Sequence, residues 1–386
     1  MDCMELLDLI KKGKDSTLQF KKEFNSIDAL AAEICAFANT KGGRIVIGVS
    51  DTGEITGVHD LNRLNQWISN AASQKIDPPV EVTTQNLLCE GKLVVLVDVP
   101  LGPNKPYAVQ KTEFWLKVGA DKRRATREEL RRLMQASGGL YADEMPIMRA
   151  HIDDIDMDRF RRFYEQEYGM SLIDDEEAYR ALLNLKLMQG PHPTLAGLLL
   201  FGNKPERLRS QFIVKAVAFV GTEIVGREYL DSEDITGTLY DQYRDTMAFL
   251  KRNLRKVQRG RDVNLPGVWE IPQIALEEAV VNALVHRDYF MNASVKIIIF
   301  DDRVEIISPG RLPNTVSIHT IKQGIQIARN PILLSFVPKL RIPYRGIGSG
   351  IRRMIFECRQ AGLPEPEFIE DESKEEFKVI FARIAQ

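Results

Sequence analysis

Apolar and polar positions alternate along this chain in three stretches of different rhythm. From Met4 to Gln135, short β-branched runs are interleaved with helical patterns. Met4, Leu6, Leu7 and Ile10 share one side of a helix over Met4–Lys12. Leu18–Phe24 reads as a strand, and Ala29–Asn39 as a helix capped by Ser26 or Asp28 and stopped at Gly42-Gly43. RIVIGV (Arg44–Val49) and Ile55–Val58 are strands on either side of a turn at Asp51–Glu54, followed by a helix near Leu61–Ser73. Val80–Thr84, Lys92–Val99 and Glu113–Val118 continue as sheet strands. Thr126 and Glu129 have capping-box spacing for a closing helix, Arg127–Gln135.

Ala136–Ala150, with Gly138-Gly139 and Pro146, reads as a linker. Helices are expected at Asp158–Tyr168, Glu176–Leu187 and Asp234–Asn253, with a buried strand at Phe212–Val220. The last third opens with a helix within Ala275–Phe290, started by Pro272. A hairpin of Ala293–Phe300 and Arg303–Ser308 follows, then a tight turn at Pro309-Gly310 and a long polar connection, Leu312–Pro343. Glycines 346, 348 and 350 lead into a helix over Ile351–Ala361, and Glu375–Ile384 is a last strand. The expected architecture is a multi-domain α+β chain: residues 1–135, an α/β connector at 136–265, and an α/β sandwich at 266–386.

Composition changes little in this picture. At 386 residues, 44% hydrophobic and 27% charged, the chain is an ordinary globular protein without a membrane-length apolar run, and a cytoplasmic setting is expected. The four cysteines are scattered, which gives no indication of a zinc site or a disulfide framework. A net charge of −2 excludes a generally basic coat, so nucleic-acid binding requires a local patch. Lys105–Arg132 supplies one, with nine basic residues against four acidic. Lys105, Lys111, Lys122, Arg123, Arg124 and Arg127, with Lys41 upstream, are its candidate phosphate contacts, Lys122–Arg124 being read as a turn, and Tyr107, Phe114 and Trp115 offer stacking surfaces.

Candidate chemistry gathers near the C-terminus. Glu278, Asn282 and His286 fall at i, i+4 and i+8 of one helix, a carboxylate for general-base work followed by an oxygen ligand for Mg²⁺. Closely spaced glycines before a helix let bare N–H groups approach phosphates. His286-Arg-Asp288 spells a kinase tripeptide without its companion motifs, and at a helix end His⁺ and Arg suit the dipole, a structural role.

LQFKKEF (Leu18–Phe24), AFANTKGGRIVIGVSDTGEITGV (Ala36–Val58) and GPNKPYAVQKTEFWLKVGADKRRATREEL (Gly102–Leu130) resemble the Schlafen-type AlbA domain, a DNA- or RNA-binding module. Some relatives are nucleases using two glutamates and an aspartate. Here those positions hold Lys14, Gln19 and Asp51, so the resemblance implies binding, not cutting. ALEEAVVNALVHRDY, FDDRVEIISPGRLP and RGIGSGIRRM resemble the C-terminal domain of RecG helicase-related transcriptional regulators and, more distantly, the GHKL ATPases. That resemblance implies ATP and Mg²⁺ as ligands. Glu278 would be the catalytic base, Asn282 the metal ligand, and Ser308, Gly310, Gly346, Gly348, Ser349 and Gly350 nucleotide contacts. Ser308 stands where those ATPases carry the aspartate that reads adenine. The expected function is a DNA-binding, rather than RNA-binding, transcriptional regulator that senses nucleotide, as a homo-oligomer with a dimer favoured and no membrane contact. The alternatives are a slow Mg²⁺-dependent ATPase, a protein used only for assembly and, disfavoured, a nuclease.

Overall fold

Period-two alternation sorts the first sheet's side chains onto its two faces. The computed structural model describes residues 1–224, 228–258, 267–313, 316–325, 327–344 and 348–383. They form two compact units, Met1–Leu140 and Tyr141–Gln386. In the first, strands Leu18–Lys21, Gly43–Ile47, Lys92–Val99 and Thr83–Cys89 lie in that order, the first pair parallel and the others antiparallel. Ile45, Ile47, Val95 and Val97 pack on the helix Ile27–Asn39, through Leu30, Ile34 and Phe37. Their neighbours Val46, Val94 and Leu96 face the other way, against Leu6 of the helix Cys3–Lys11. Ser26 caps Ile27–Asn39, and the Thr126/Glu129 capping box starts Arg127–Ala136, both as the sequence predicts.

Three local expectations need correction in this unit. Cys3 and Cys89 form a disulfide across 86 positions, Cα–Cα 5.1 Å, because the first helix lies over the strand Thr83–Cys89. Spacing along the chain carries no trace of that contact. Lys122–Arg124 is part of a strand, Asp121–Arg124, paired with Trp115–Val118, and not a turn. The strand expected at Val80–Thr84 begins at Thr83 and runs to Cys89, a stretch whose exposed outer positions blur its alternation.

The second unit holds one six-stranded sheet in the order Tyr229–Ile235, Val214–Phe219, Val295–Ile299, Arg303–Pro309, Glu376–Ala382, Glu367–Asp371. Val214, Ala216, Val295, Ile297, Val304, Ile306, Val379 and Phe381 point to one core, shared with helices Leu239–Asn253, Gln273–Val285 and Gly350–Gln360. The opposite face carries ion pairs such as Lys378–Glu305 and Lys296–Glu376. It is a two-layer α/β sandwich. The expected boundary at 265/266 does not separate compact units: Val214–Phe219 pairs in parallel with Val295–Ile299. A parallel pair needs a long crossover, so no local pattern could announce it. The helix expected from Asp234 starts at Leu239, and Tyr229–Ile235 before it is an edge strand, rich in acidic residues, that β-propensity underrates. Among the described residues no helix is long and apolar enough to cross a membrane.

Candidate functional site

Helix Gln273–Val285 is apolar nearly all round, and nine of its thirteen residues are buried. It lies between the sheet and its neighbours, which is why the polar stripe on it is not a solvated face. Glu278 is buried, Asn282 half-buried, and both line one cavity of about 130 Å³. Ser308, Gly310, Gly348, Ser349 and Gly350 line the same cavity. The carboxyl-amide helix and the glycine bend therefore face a common hollow. Gly346 lies outside the described residues. The walls are largely apolar, with Ile306, Val379 and Phe377 from the sheet, Ala279 and Ala283 from the helix, and Ile321 from the connection 312–343. An apolar cavity of about 150 Å³ takes a benzene ring, so this one has room for a flat ring and little more.

Each candidate residue has a definite setting in the cavity wall. Glu278 Oε2 accepts from Arg353 Nη2 at 2.5 Å. A Cβ on Gly350 would overlap Glu278 Oε1, so the carboxylate rests on the backbone at the start of Gly350–Gln360. Burial raises the Glu278 pKa and Arg353 opposes the rise without cancelling it. Asn282 has no side-chain hydrogen bond among the described residues, which leaves its amide free to take a ligand. Ser308 Oγ donates to Ala283 O at 2.8 Å, so its proton is committed and only its lone pairs face the cavity. Gly310 has φ +103°, and a Cβ there would strike Asp288 and Arg329. A Cβ on Gly348, at φ +71°, would overlap Gly324 O, while Arg352 donates to the carbonyls of Lys322 and Gln323. The connection 312–343 is thus fastened onto the glycine bend at this point.

His286 is not the helix-end cation that the sequence suggests. Burial, with Arg329 beside it, pushes its pKa down to about 4, so the ring is neutral at pH 7. Arg287 lies over the rings of Phe212 and Tyr289, at 5.4 and 4.7 Å, and donates to Ala293 O. Arg287 thus has a structural role, whereas the neutral His286 lines the same cavity as Glu278 and Asn282. Sequence reasoning passed over Arg353, although it directly follows the glycine bend, because nothing in a pattern says which of Arg352 and Arg353 turns inward.

In the N-terminal unit the basic face is thinner than its sequence. Lys105 points inward, 4% exposed, and donates to Thr40 O; burial lowers its pKa to about 8. It is removed from the phosphate contacts, as its place in the buried Lys105–Val109 run dictates. Lys122 is bound to Glu33 at 2.7 Å, Arg123 grips Glu129 with both nitrogens, and Arg124 pairs with Glu113. Lys41, Lys111 and Arg127 are exposed, and none of the three has a side-chain partner among the described residues. Tyr107 is buried, its backbone held by Asn39, so it offers no stacking surface; Trp115 is half-buried beneath Arg124. At the positions resembling nuclease carboxylates, Lys14 pairs with Asp51 and Gln19 donates to Ala120 O. No group of three His, Cys, Asp or Glu among the described residues could hold a metal ion. Glu33, unremarked in the sequence, is the buried centre of this unit: it also binds Lys117 at 3.0 Å, and both side chains are fully buried.

Comparison with known proteins agrees with this division. Residues 14–126 match the family described as "Schlafen, AlbA_2", and residues 292–381 the family described as "Putative ATP-dependent DNA helicase recG C-terminal". The second match begins after helix Gln273–Val285, so Glu278 and Asn282 enter the site through the fold and not through the match. No curated protein matches the chain. Among solved structures, the DIP2311 protein from Corynebacterium diphtheriae has a similar fold, with TM-score 0.51, 19% identity, and coverage of 98% of this chain and 80% of that one. The N-terminal domain of a RecG-related protein from Nitrosomonas europaea aligns over 33% of this chain and 90% of its own, at 21% identity and TM-score 0.26. The first unit thus contains a segment similar to the Schlafen AlbA_2 family, and the second a segment similar to the recG C-terminal family.

Proposed function

We propose that this chain is a nucleic-acid-binding regulator whose C-terminal unit takes up an adenine nucleotide. The two family matches support the coarse part, a nucleic-acid-related role with an ATPase-like domain. The observation behind the finer part is the meeting of Glu278, Asn282, Ser308 and the glycine bend around one cavity. The base end fits a flat ring between apolar walls, with Ser308 lone pairs available to accept from an exocyclic amine. Asn282 would contribute an amide oxygen to a nucleotide-bound Mg²⁺, which would supply charge neutralisation for the phosphates. The phosphate end, between Gly348 and Gly350, is filled by Gly324 O and the Glu278 carboxylate, and both must give way to a nucleotide.

Calorimetric titration of the full chain with ATP and Mg²⁺ tests this reading. Saturable binding is expected for the wild type, with an affinity loss of about tenfold or more in Asn282→Ala. Absence of binding in both would overturn the nucleotide claim. A DNA-over-RNA preference is the companion claim for the first unit. There, a Lys41→Ala/Lys111→Ala/Arg127→Ala variant should flatten the salt dependence of DNA affinity by roughly 0.9 for each phosphate it no longer neutralises. An unchanged slope would remove these residues from the interface. Slow hydrolysis is a second reading, and the position of Glu278 bears on it: a carboxylate bound to Arg353 cannot act as a base until that pair opens.

A further inference from the structure

Glu278 and Arg353 form an ion pair against the cavity, its carboxylate side chain only 3% exposed. A buried carboxylate normally collects several donors, because losing water costs far more than one contact returns. Among the described residues Glu278 has a single strong partner, Arg353. Arg353 is 28% exposed at its side chain, and its Nε is buried without a hydrogen bond among the described residues. The guanidinium is thus held at the cavity wall with donor capacity to spare, in a fork geometry suited to a carboxylate or a phosphate. Glu278 Oε1 meanwhile fills the hollow left by the missing side chain of Gly350, which any Cβ would close. Arg353, Glu278 and Gly350 together make an anion position in which the anion is the protein's own.

We propose that Glu278 stands in for a ligand phosphate, and that nucleotide binding exchanges partners, passing Arg353 from the Glu278 carboxylate to a phosphate. Resting on the reading of the cavity as a nucleotide site, this adds a residue to it and gives the ligand-free state an internal competitor. The exchange makes no covalent bond and breaks none; it moves one charge-assisted hydrogen bond from one acceptor to another. In the bound state Glu278 is released from Arg353 beside the phosphates. The ligand class follows from the same geometry: an anion is needed to draw Arg353 away, so a neutral nucleoside should leave the pair closed.

The test compares ATP with adenosine on the full chain in the presence of Mg²⁺, by calorimetry, for the wild type, Glu278→Gln, Arg353→Gln and the double variant. Glu278→Gln keeps shape and removes the competing charge, so ATP should bind about tenfold tighter while adenosine binds as before. Arg353→Gln should weaken ATP about tenfold or more with adenosine unchanged. Because that variant leaves a buried carboxylate without its partner, the double variant, which removes both charges, serves as its folded counterpart. It should lose the gain seen in Glu278→Gln. ATP binding in Glu278→Gln equal to wild type, or an equal loss of ATP and adenosine on removing Arg353, would overturn the exchange while leaving the nucleotide site in place. Failure of every variant to bind either ligand would overturn the site itself and the exchange with it.

Discussion

Glu33 and Glu278 are both buried carboxylates paired with cations, yet one is closed and the other poised. Burial pushes the Glu33 pKa up, but Lys122 and Lys117 together outweigh it and hold the group below its ordinary value. Lys117 is fully buried and also lies over the Phe37 ring at 4.9 Å. The cluster joins the helix Ile27–Asn39 to the hairpin at 115–124. Glu278 has one arginine, a pKa above its ordinary value, and open space next to it. The same chemical group is thus a fastener where it is oversupplied with partners and a movable piece where it is undersupplied. A family resemblance assigns a role to Glu278 and none to Glu33; only the surroundings show why.

The largest expected effect lies on the closed side. Glu33→Ala leaves Lys117 buried without its partner and should destabilise the first unit by about 3–5 kcal/mol. Glu278→Gln, whose arginine can reach solvent, should cost about 1 kcal/mol or less. Urea denaturation of both variants reads the contrast directly, and equal costs would erase the distinction. Gly350→Ala comes next. Its Cβ must displace Glu278 or the helix start, so a loss of about 1–3 kcal/mol is expected, together with weakened ATP binding. A substitution without effect on melting would mean that Glu278 does not rest there.

The pH dependence is the smallest effect and the two units have opposite signs. Glu33, depressed in the fold, contributes stability that is present above its ordinary value of 4.5 and is lost as pH falls through the lower folded value. Glu278, raised in the fold, holds its proton more tightly folded than unfolded, so its contribution declines as pH rises from 4.5 through the folded value. Denaturation from pH 3 to 7 should show the second slope vanish in Glu278→Gln and the first persist. The same slope in wild type and variant would assign it to another group.

What the sequence revealed follows physical range. Caps, glycine stops and alternation are local, and they placed the helices Ile27–Asn39, Arg127–Ala136 and Gly350–Gln360 to within a few residues. The cavity was legible because its residues belong to three contiguous motifs. The parallel pairing of Val214–Phe219, the Cys3–Cys89 bond and the inward turn of Lys105 depend on residues far apart, and composition does not record them. The basic stretch shows the limit most clearly. Its excess of positive residues is real, but Glu33, Glu113 and Glu129 neutralise Lys122, Arg124 and Arg123 in turn. Charge along a chain is therefore a poor guide to charge on a surface.

A crystal structure of the full chain grown with ATP tests the central claim most directly. The account predicts nucleotide between Asn282 and Gly348–Gly350, a phosphate within hydrogen-bond reach of Arg353, and Glu278 displaced from it. An empty cavity at saturating ATP, with Glu278 still bound to Arg353, would contradict it.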